Sequence, residues 1–299
     1  LELRPLGRGL ARWRTLGSVF DADVVVLQRK LLASWELSRL RRHARRLIFD
    51  FDDAVFLRDS YHPRGNVSGS RLHRFTATIT AADAVIAGND WLAKKARVMG
   101  ARQVAVIPTC IDPSKYPIAK HDRRHTLVCV WIGSSSTLNG LEQNRQMLEQ
   151  IGRDVPGLIL RLICDRSIEL ANWRVVHWPW STETEATALA TSDVGLSLLP
   201  DDDWSRGKCG LKVLQYLAAG LPVVGNPIGV TAELVGDSGM MVESNVHWIA
   251  ALERLRDPNV RRRIGQSGRH RCEASFSVDV GIQGWRTFIR ELVSRRQAG

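Results

Sequence analysis

Short, unbroken apolar runs recur along this chain, separated by longer amphipathic stretches. Asp23-Val24-Val25-Val26-Leu27, Leu47-Ile48-Phe49, Ala84-Val85-Ile86-Ala87 and Val104-Ala105-Val106-Ile107 come first, and runs over 126–132, 158–163, 174–177, 194–199 and 222–225 follow. A strand that is apolar at nearly every position has to be covered on both faces. That is the condition of a parallel sheet flanked by helices, whereas a half-exposed antiparallel strand alternates. The intervening segments supply the helices: the spacing predicts them over 34–46, 70–82, from Asn89 to about Met99, and over 137–151, 184–191, 210–219, 229–235, 246–255, 258–272 and 278–296.

A polar run with two prolines, residues 112–124, interrupts this alternation, which then restarts. The chain therefore reads as α/β, with two Rossmann-like, doubly wound parallel-sheet domains in tandem, 1–118 and 119–275, and a C-terminal helix over 276–299. The chain opens on Leu1 without the apolar strand that usually begins such a domain, which predicts an N-terminally incomplete first domain.

Charge divides at the same place. The 299 residues carry 42 Lys and Arg against 31 Asp and Glu, a net charge of +11. Residues 1–124 hold 23 basic and 12 acidic side chains, and the remainder holds 19 of each. A one-sided basic field implies an anionic partner for the first half: nucleic acid, a membrane surface or a phosphorylated compound. The five cysteines are widely spaced and form no C-x-x-C, which predicts reduced thiols in a cytoplasmic protein and no zinc site. No apolar run approaches the roughly 18–20 residues of a membrane span.

In open parallel sheets, ligands gather at the carboxyl ends of strands. Three such ends hold chemistry. After 126–132 comes Gly133-Ser134-Ser135-Ser136, whose glycine admits a close backbone approach and whose amides open a helix; a capped strand-to-helix turn would look the same. After 194–199 comes Asp201-Asp202-Asp203-Trp204-Ser205-Arg206-Gly207-Lys208-Cys209-Gly210-Leu211-Lys212. Arg206, Lys208 and Lys212, with the amides of Gly210 and Leu211 at a helix N-terminus, suit a diphosphate. After 47–49 comes Asp50-Phe51-Asp52-Asp53, where Asp52 and Asp53 are the carboxylates beyond the strand; helix capping and pairing with nearby arginines is the plainer use. Asp165 and Arg166 follow strand 158–163 and would face a nucleotide. No metal site is placed, because the acidic run lacks a matching His or acidic partner.

The stretch Gly210-Leu211-Lys212-Val213-Leu214-Gln215-Tyr216-Leu217-Ala218-Ala219-Gly220-Leu221-Pro222-Val223-Val224 resembles the signature of the group 1 (family 4) retaining glycosyltransferases, in which a helix ends in Ala-Ala-Gly-x-Pro-Val-Val. Ile228-Gly229-Val230-Thr231-Ala232-Glu233-Leu234-Val235, Ser192 to Pro200, and Val85 through Ile107-Pro108-Thr109-Cys110-Ile111-Asp112 extend the resemblance in order over most of 84–255. It implies a GT-B fold, with an acceptor-binding first domain, a nucleotide-sugar-binding second domain and a last helix returning toward the first. The implied reaction is metal-independent transfer of a sugar from a nucleotide-sugar, with retention and no resident cofactor.

The family usually carries two glutamates eight positions apart. Here those places hold Gly207 and Gln215, a divergent branch. Gln215 keeps hydrogen-bonding capacity toward ribose hydroxyls, while Gly207 has none, and the run Asp201–Asp203 is the nearby source of a carboxylate. The Arg and Lys that the family places after the first glycine loop are replaced by Ser134 to Thr137, which leaves Lys208 and Lys212 to neutralise the departing diphosphate. Asp52 and Asp53 fall where the resemblance puts the acceptor side, to orient sugar hydroxyls or take the acceptor's proton. Glu233 follows as a donor-sugar contact or a helix cap. A non-catalytic nucleotide-sugar-binding or scaffold homologue is the alternative reading.

In the basic half, Arg39, Arg41, Arg42, Arg45 and Arg46, with Arg4, Arg8, Arg12 and Arg14, are interleaved with Leu and Trp. Such a surface suits a glycan or lipid-linked acceptor, in cell-envelope or polysaccharide synthesis, and an anionic membrane at whose inner face the protein would sit peripherally. The chain shows no RNA- or DNA-binding motif and no aromatic stacking stripe, so nucleic acid is not the expected partner.

Overall fold

In a computed structural model, residues 22–122 and 125–294 are described. Arg4, Arg8, Arg12 and Arg14 lie outside them. The chain divides into two compact units. The first takes in 22–58, Asn66–Ile107 and 284–294; the second takes in Asp59–Gly65 and Pro108–Gln283.

The first unit is a parallel sheet of β1 (Val25–Gln28), β2 (Leu47–Phe51), β3 (Ala84–Ala87) and β4 (Val104–Val106), in that order. Leu47, Ile48, Phe49 and Phe51 are buried, as the unbroken apolar run requires. Helices Ser34–His43, Gly69–Ala81 and Asp90–Val98 connect the strands. Asn89 starts the last of these by accepting the Leu92 amide at 2.8 Å, which satisfies one of the orphan donors of a helix N-terminus. Phe75 meets Phe49, Phe51 and Phe56, and Phe288 and Leu292 of the final helix, Val278–Ser294, pack with Ile48 and Ile86.

The second unit holds six parallel strands: β5 (Leu127–Ile132), β6 (Leu158–Cys164), β7 (Arg174–Pro179), β8 (Val194–Ser197), β9 (Val223–Gly225) and β10 (Gly239–Met241). Their order, β10-β9-β8-β5-β6-β7, runs outward from β5 in both directions, so this sheet is doubly wound and its switch point lies between β5 and β8. Tyr216 pins the switch: its hydroxyl accepts the Ile132 amide and donates to the Leu196 carbonyl, each at 3.1 Å. Gly195 makes room, since a Cβ there would lie 2.4 Å from the Tyr216 ring.

The helix expected over 137–151 is two, Ser135–Gln143 and Arg145–Asp154, broken at Asn144. The strand β10 and the single helical turn Asp203–Arg206 are additions to the expected elements. Where the sequence suggested a linker with a boundary near 118, the segment after Pro108 is docked on the second unit. The Ile111 amide donates to Phe276 and the Ala119 amide to Ala219. All five cysteines are free thiols, and no helix among the described residues is long and apolar enough to cross a membrane.

Candidate functional site

The loops after β5 and β8 flank the switch point, where doubly wound sheets bind ligands. After β8 the chain is held by Asn226, which accepts the Leu199 amide at 3.0 Å and donates to its carbonyl at 2.6 Å. Asp202 then caps the turn Asp203–Arg206 through the Ser205 amide. The turn leads to Gly210, whose φ of 68° lies in the left-handed region; a Cβ there would stand 2.3 Å from Leu234. Helix Leu211–Ala218 starts at once, and its first amides have no intrahelical acceptor.

Both lysines of this loop are held over indole faces. Lys208 Nζ lies 3.6 Å from the Trp204 ring centroid, and Lys212 Nζ lies 4.2 Å from that of Trp131 at the end of β5. Trp204 is also met edge-on by Tyr61, with centroids 6.3 Å apart. Burial, with the neighbouring Lys208 charge, pushes the Lys212 ammonium down to about 7. Two cations thus meet at a helix N-terminus, an arrangement that gains from a doubly charged anion.

The loop after β5 is less open than its sequence suggests. Asp165 accepts the Ser135 amide at 2.7 Å, so a carboxylate already caps that helix. Hydrogen bonds from Ser135 and Cys164 hold the Asp165 carboxyl below its usual range. Ser134 is engaged with Ser136, and Gly133 is required because a Cβ would meet the Trp131 ring at 2.5 Å. Arg166 pairs with Glu142 at 2.8 Å and Asn139 at 3.2 Å. Arg206 pairs with Asp201 and Asp203. The acidic run is therefore engaged within its own loop, with Asp202 as a cap. Of the cations named for anion binding, Lys208 and Lys212 are the two the structure brings together, each over an indole face.

Gln215 lies one turn beyond Lys212 and is buried. Its amide donates to Glu185 at 2.6 Å, and Glu185 also accepts the Tyr116 hydroxyl at 2.8 Å and the Trp180 indole N–H at 2.6 Å. The sequence carries no signal for Glu185, which follows the polar run Ser181-Thr182-Glu183-Thr184 and looks like a solvated helix start. Glu233 is exposed in the first turn of helix Thr231–Val235, and its backbone carbonyl accepts from Arg271 at 2.7 Å.

In the first unit, Asp50 lies inside β2, and Asp52 and Asp53 follow it. Arg29 approaches each of the latter two at 3.1 Å, and Asp53 also accepts the Ala54 amide. Asp50 is the perturbed member: burial raises its carboxyl to about 6, against the Gln28 hydrogen bond, which lowers it. In the basic cluster, Arg41 and Arg46 approach Asp83, and Arg45 approaches Asp23, so much of the charge is locally compensated. No group of three or more His, Cys, Asp or Glu among the described residues is placed to hold a metal.

Comparison with protein-family models finds no match, and comparison with curated proteins finds none. Solved structures do match. Sucrose-phosphate synthase from Thermosynechococcus elongatus superposes with a TM-score of 0.74 at 17% identity, over 95% of this chain and 77% of that one. Anabaena HepE in complex with UDP and glucose gives 0.67 at 14%, over 92% and 80%. The UDP-forming trehalose-phosphate synthase from Burkholderia xenovorans gives 0.66 at 14%, over 96% and 80%. These neighbours are GT-B glycosyltransferases, and the fold of this chain is GT-B.

Proposed function

We propose that this chain is a glycosyltransferase that moves a sugar from a nucleotide-sugar bound by the second unit to an acceptor recognised by the first. The carrying observation is the pair Lys208 and Lys212, held on indole faces at the N-terminus of helix Leu211–Ala218 beside the sheet's switch point. Breaking a sugar–phosphate bond builds positive charge on the sugar and leaves an anionic diphosphate. Cations and helix amides already in place lower the energy of that departing charge. Lys208, Lys212 and the amides of Gly210 and Leu211 are the groups assigned to it. UDP is the first nucleotide to test, since HepE is solved with it. Retention of configuration, Asp52 and Asp53 as acceptor-side groups, a glycan or lipid-linked acceptor, and peripheral attachment to an anionic membrane complete the reading. Trp35, 57% exposed at the start of the basic helix Ser34–His43, supports the last of these.

A thermal-shift and calorimetric screen of UDP, GDP, ADP and their sugar conjugates tests the proposal. One or more should bind, and Lys212→Met should weaken it. Failure of every nucleotide to bind sinks it. A second reading is favoured by one observation: Gly207 offers no side chain and the nearby Asp201 and Asp203 are tied to Arg206. A chain that binds a nucleotide-sugar yet neither hydrolyses nor transfers it would be the non-catalytic homologue.

A further inference from the structure

The Glu185 carboxylate gathers donors from three separate segments: Tyr116 after the turn Pro113–Lys115, Trp180 after β7, and Gln215 in helix Leu211–Ala218. A carboxylate only accepts hydrogen bonds, so Gln215 must turn its NH2 group toward Glu185 and its carbonyl oxygen away. An isolated glutamine can offer a ligand either end. This one has its NH2 end committed to Glu185, and at 8% exposure it has little room to rotate. Tyr116 braces the arrangement: burial and the Glu185 carboxylate push its phenol well above the ordinary range, so it stays a donor.

Gln215 stands three residues after Lys212, on the same helical face and about 4.5 Å further along the axis. A nucleotide whose diphosphate rests on Lys212 carries its hydroxyl donors a few ångströms beyond the phosphates, on the ribose. A carboxamide whose NH2 end is committed to a carboxylate has its carbonyl oxygen left to offer, which suits hydroxyl donors and rejects acceptors.

We propose that Glu185 is a positioning residue which locks the Gln215 carboxamide as a hydrogen-bond acceptor, and so makes the site selective for nucleotides bearing a ribose diol. This rests on the nucleotide-sugar reading above. In this arrangement the negative charge of the pair resides at 185, so the two positions are exchangeable as a pair but not singly. Gln215→Glu would set two carboxylates against each other. Glu185→Ala would release the amide. The double exchange, Glu185→Gln with Gln215→Glu, restores one donor facing one carboxylate and leaves position 215 an acceptor.

The test is the ratio of affinities for UDP and 2′,3′-dideoxy-UDP, measured by calorimetry, with melting temperatures recorded alongside. A ligand hydroxyl bonded to the site gives the intact protein a preference for UDP of about tenfold. Glu185→Ala and Gln215→Glu should each bring that ratio to within about threefold of unity, and the double exchange should recover most of it. Should Glu185→Ala fold poorly, Glu185→Gln reports the same loss in part. If the single variants keep the intact protein's ratio while melting lower, Glu185 only stabilises the fold and the proposal is overturned. So is it if the double exchange is no better than either single change. If the intact protein binds UDP and the ratio behaves otherwise than stated, only this proposal fails; if it binds none of UDP, GDP and ADP, the nucleotide-sugar reading fails first.

Discussion

Lys212 lies over the face of Trp131, its ammonium 4.2 Å from the ring centroid, and the Trp131 ring in turn leaves space at position 133 only for glycine. The end of β5 and the start of helix Leu211–Ala218 are thereby joined through a cation and an aromatic ring rather than an ion pair. An indole attracts a cation but does not neutralise it, so the charge remains available to an anion.

That geometry predicts proton uptake on nucleotide binding. With its ammonium lowered to about 7, Lys212 is largely neutral at pH 8. A diphosphate favours the charged form, so binding draws a proton from solution and affinity falls as pH rises through 7 and beyond. Calorimetry at pH 8 in two buffers of different ionisation enthalpy should show the uptake, and Lys212→Met should lose it while binding about 10–100-fold more weakly. Identical heats in both buffers would count against this state of Lys212. The free protein gives a matching signature. Its Lys212 is depressed relative to the unfolded chain, so stability rises with pH above about 7, and Lys212→Met should flatten that rise.

Lys208 depends on Trp204 in the same way, with Nζ 3.6 Å from the ring centroid. Trp204→Phe keeps a face for the ammonium, whereas Trp204→Leu removes it. The loss of a cation–π contact, about 0.5–2 kcal/mol, corresponds to UDP binding about 2–30-fold weaker for the leucine variant. Equal affinities for the two variants would show that Lys208 needs no aromatic support.

Gly210 combines a φ of 68° with a closed surround, Leu234 standing 2.3 Å from where a Cβ would be. Gly210→Ala should cost about 2–4 kcal/mol in denaturant unfolding, from left-handed strain plus overpacking, and should weaken nucleotide binding by displacing the first helical amides. Gly65→Ala is the control. Its φ of 69° carries the strain, but nothing lies within 4 Å of its Cβ, so its loss should be smaller.

Much of this layout is legible in the sequence because parallel strands are buried on both faces and therefore read as unbroken apolar runs. Leu47–Phe49 and Leu127–Ile132 show this directly. β10 is the exception: Gly239, Met240 and Met241 are partly exposed and too short to mark a run. The break at Asn144 is hidden because the apolar spacing continues across it through Leu141 and Leu148. At the site, Lys208 and Lys212 are readable from their spacing around Gly210. The other charged candidates are decided by partners that only the fold supplies, Asp165 accepting the Ser135 amide across 30 residues and Arg166 reaching Glu142, and so is the uncharged Gln215, which meets Glu185. Arg206 is the partial exception, since Asp203 stands three residues before it on the same turn.

The base of the second unit is held by a buried ion pair. Arg261 and Asp193 are 3.3 Å apart with side chains 2% and 3% exposed. Arg261 also donates to the carbonyls of Leu255, Arg256 and Asp122, and Asp193 accepts the Val128 amide. Removing one partner strands the other charge in a low-dielectric interior, which costs about 3–5 kcal/mol. Asp193→Ala should therefore lower stability by about that much, or abolish soluble expression. An exposed pair such as Arg256 with Glu253 should cost less than about 1 kcal/mol when broken. A small effect at Asp193 would show that the interior there is more hydrated than the burial indicates.

His121 stands beside this pair and gives the protein a built-in acid sensitivity. One ring nitrogen, Nε2, lies 2.8 Å from the Gly220 carbonyl, which can only accept, so the proton sits on Nε2. The other, Nδ1, is buried and without a partner, and a second proton would have to go there. Burial lowers the pKa of His121 first, with the Arg261 and Arg262 charges adding to the effect, while the Gly220 hydrogen bond and the Asp193 charge oppose it. A folded-state pKa below the unfolded 6.5 means that the unfolded chain binds the proton more readily. The stabilising contribution is complete above that value and is lost as pH falls toward the folded pKa. Asp50 works in the opposite sense, because its raised carboxyl takes up a proton on folding below about 6. The informative quantity is therefore the difference between the intact protein and His121→Gln, whose amide can keep the bond to Gly220 but cannot be protonated. Between pH 7.5 and 5 the intact protein should lose more stability than the variant, by urea unfolding followed at both pH values. Parallel curves would mean that the ring gains its second proton in the folded state as easily as in water, and that the Arg261 charge does not reach it.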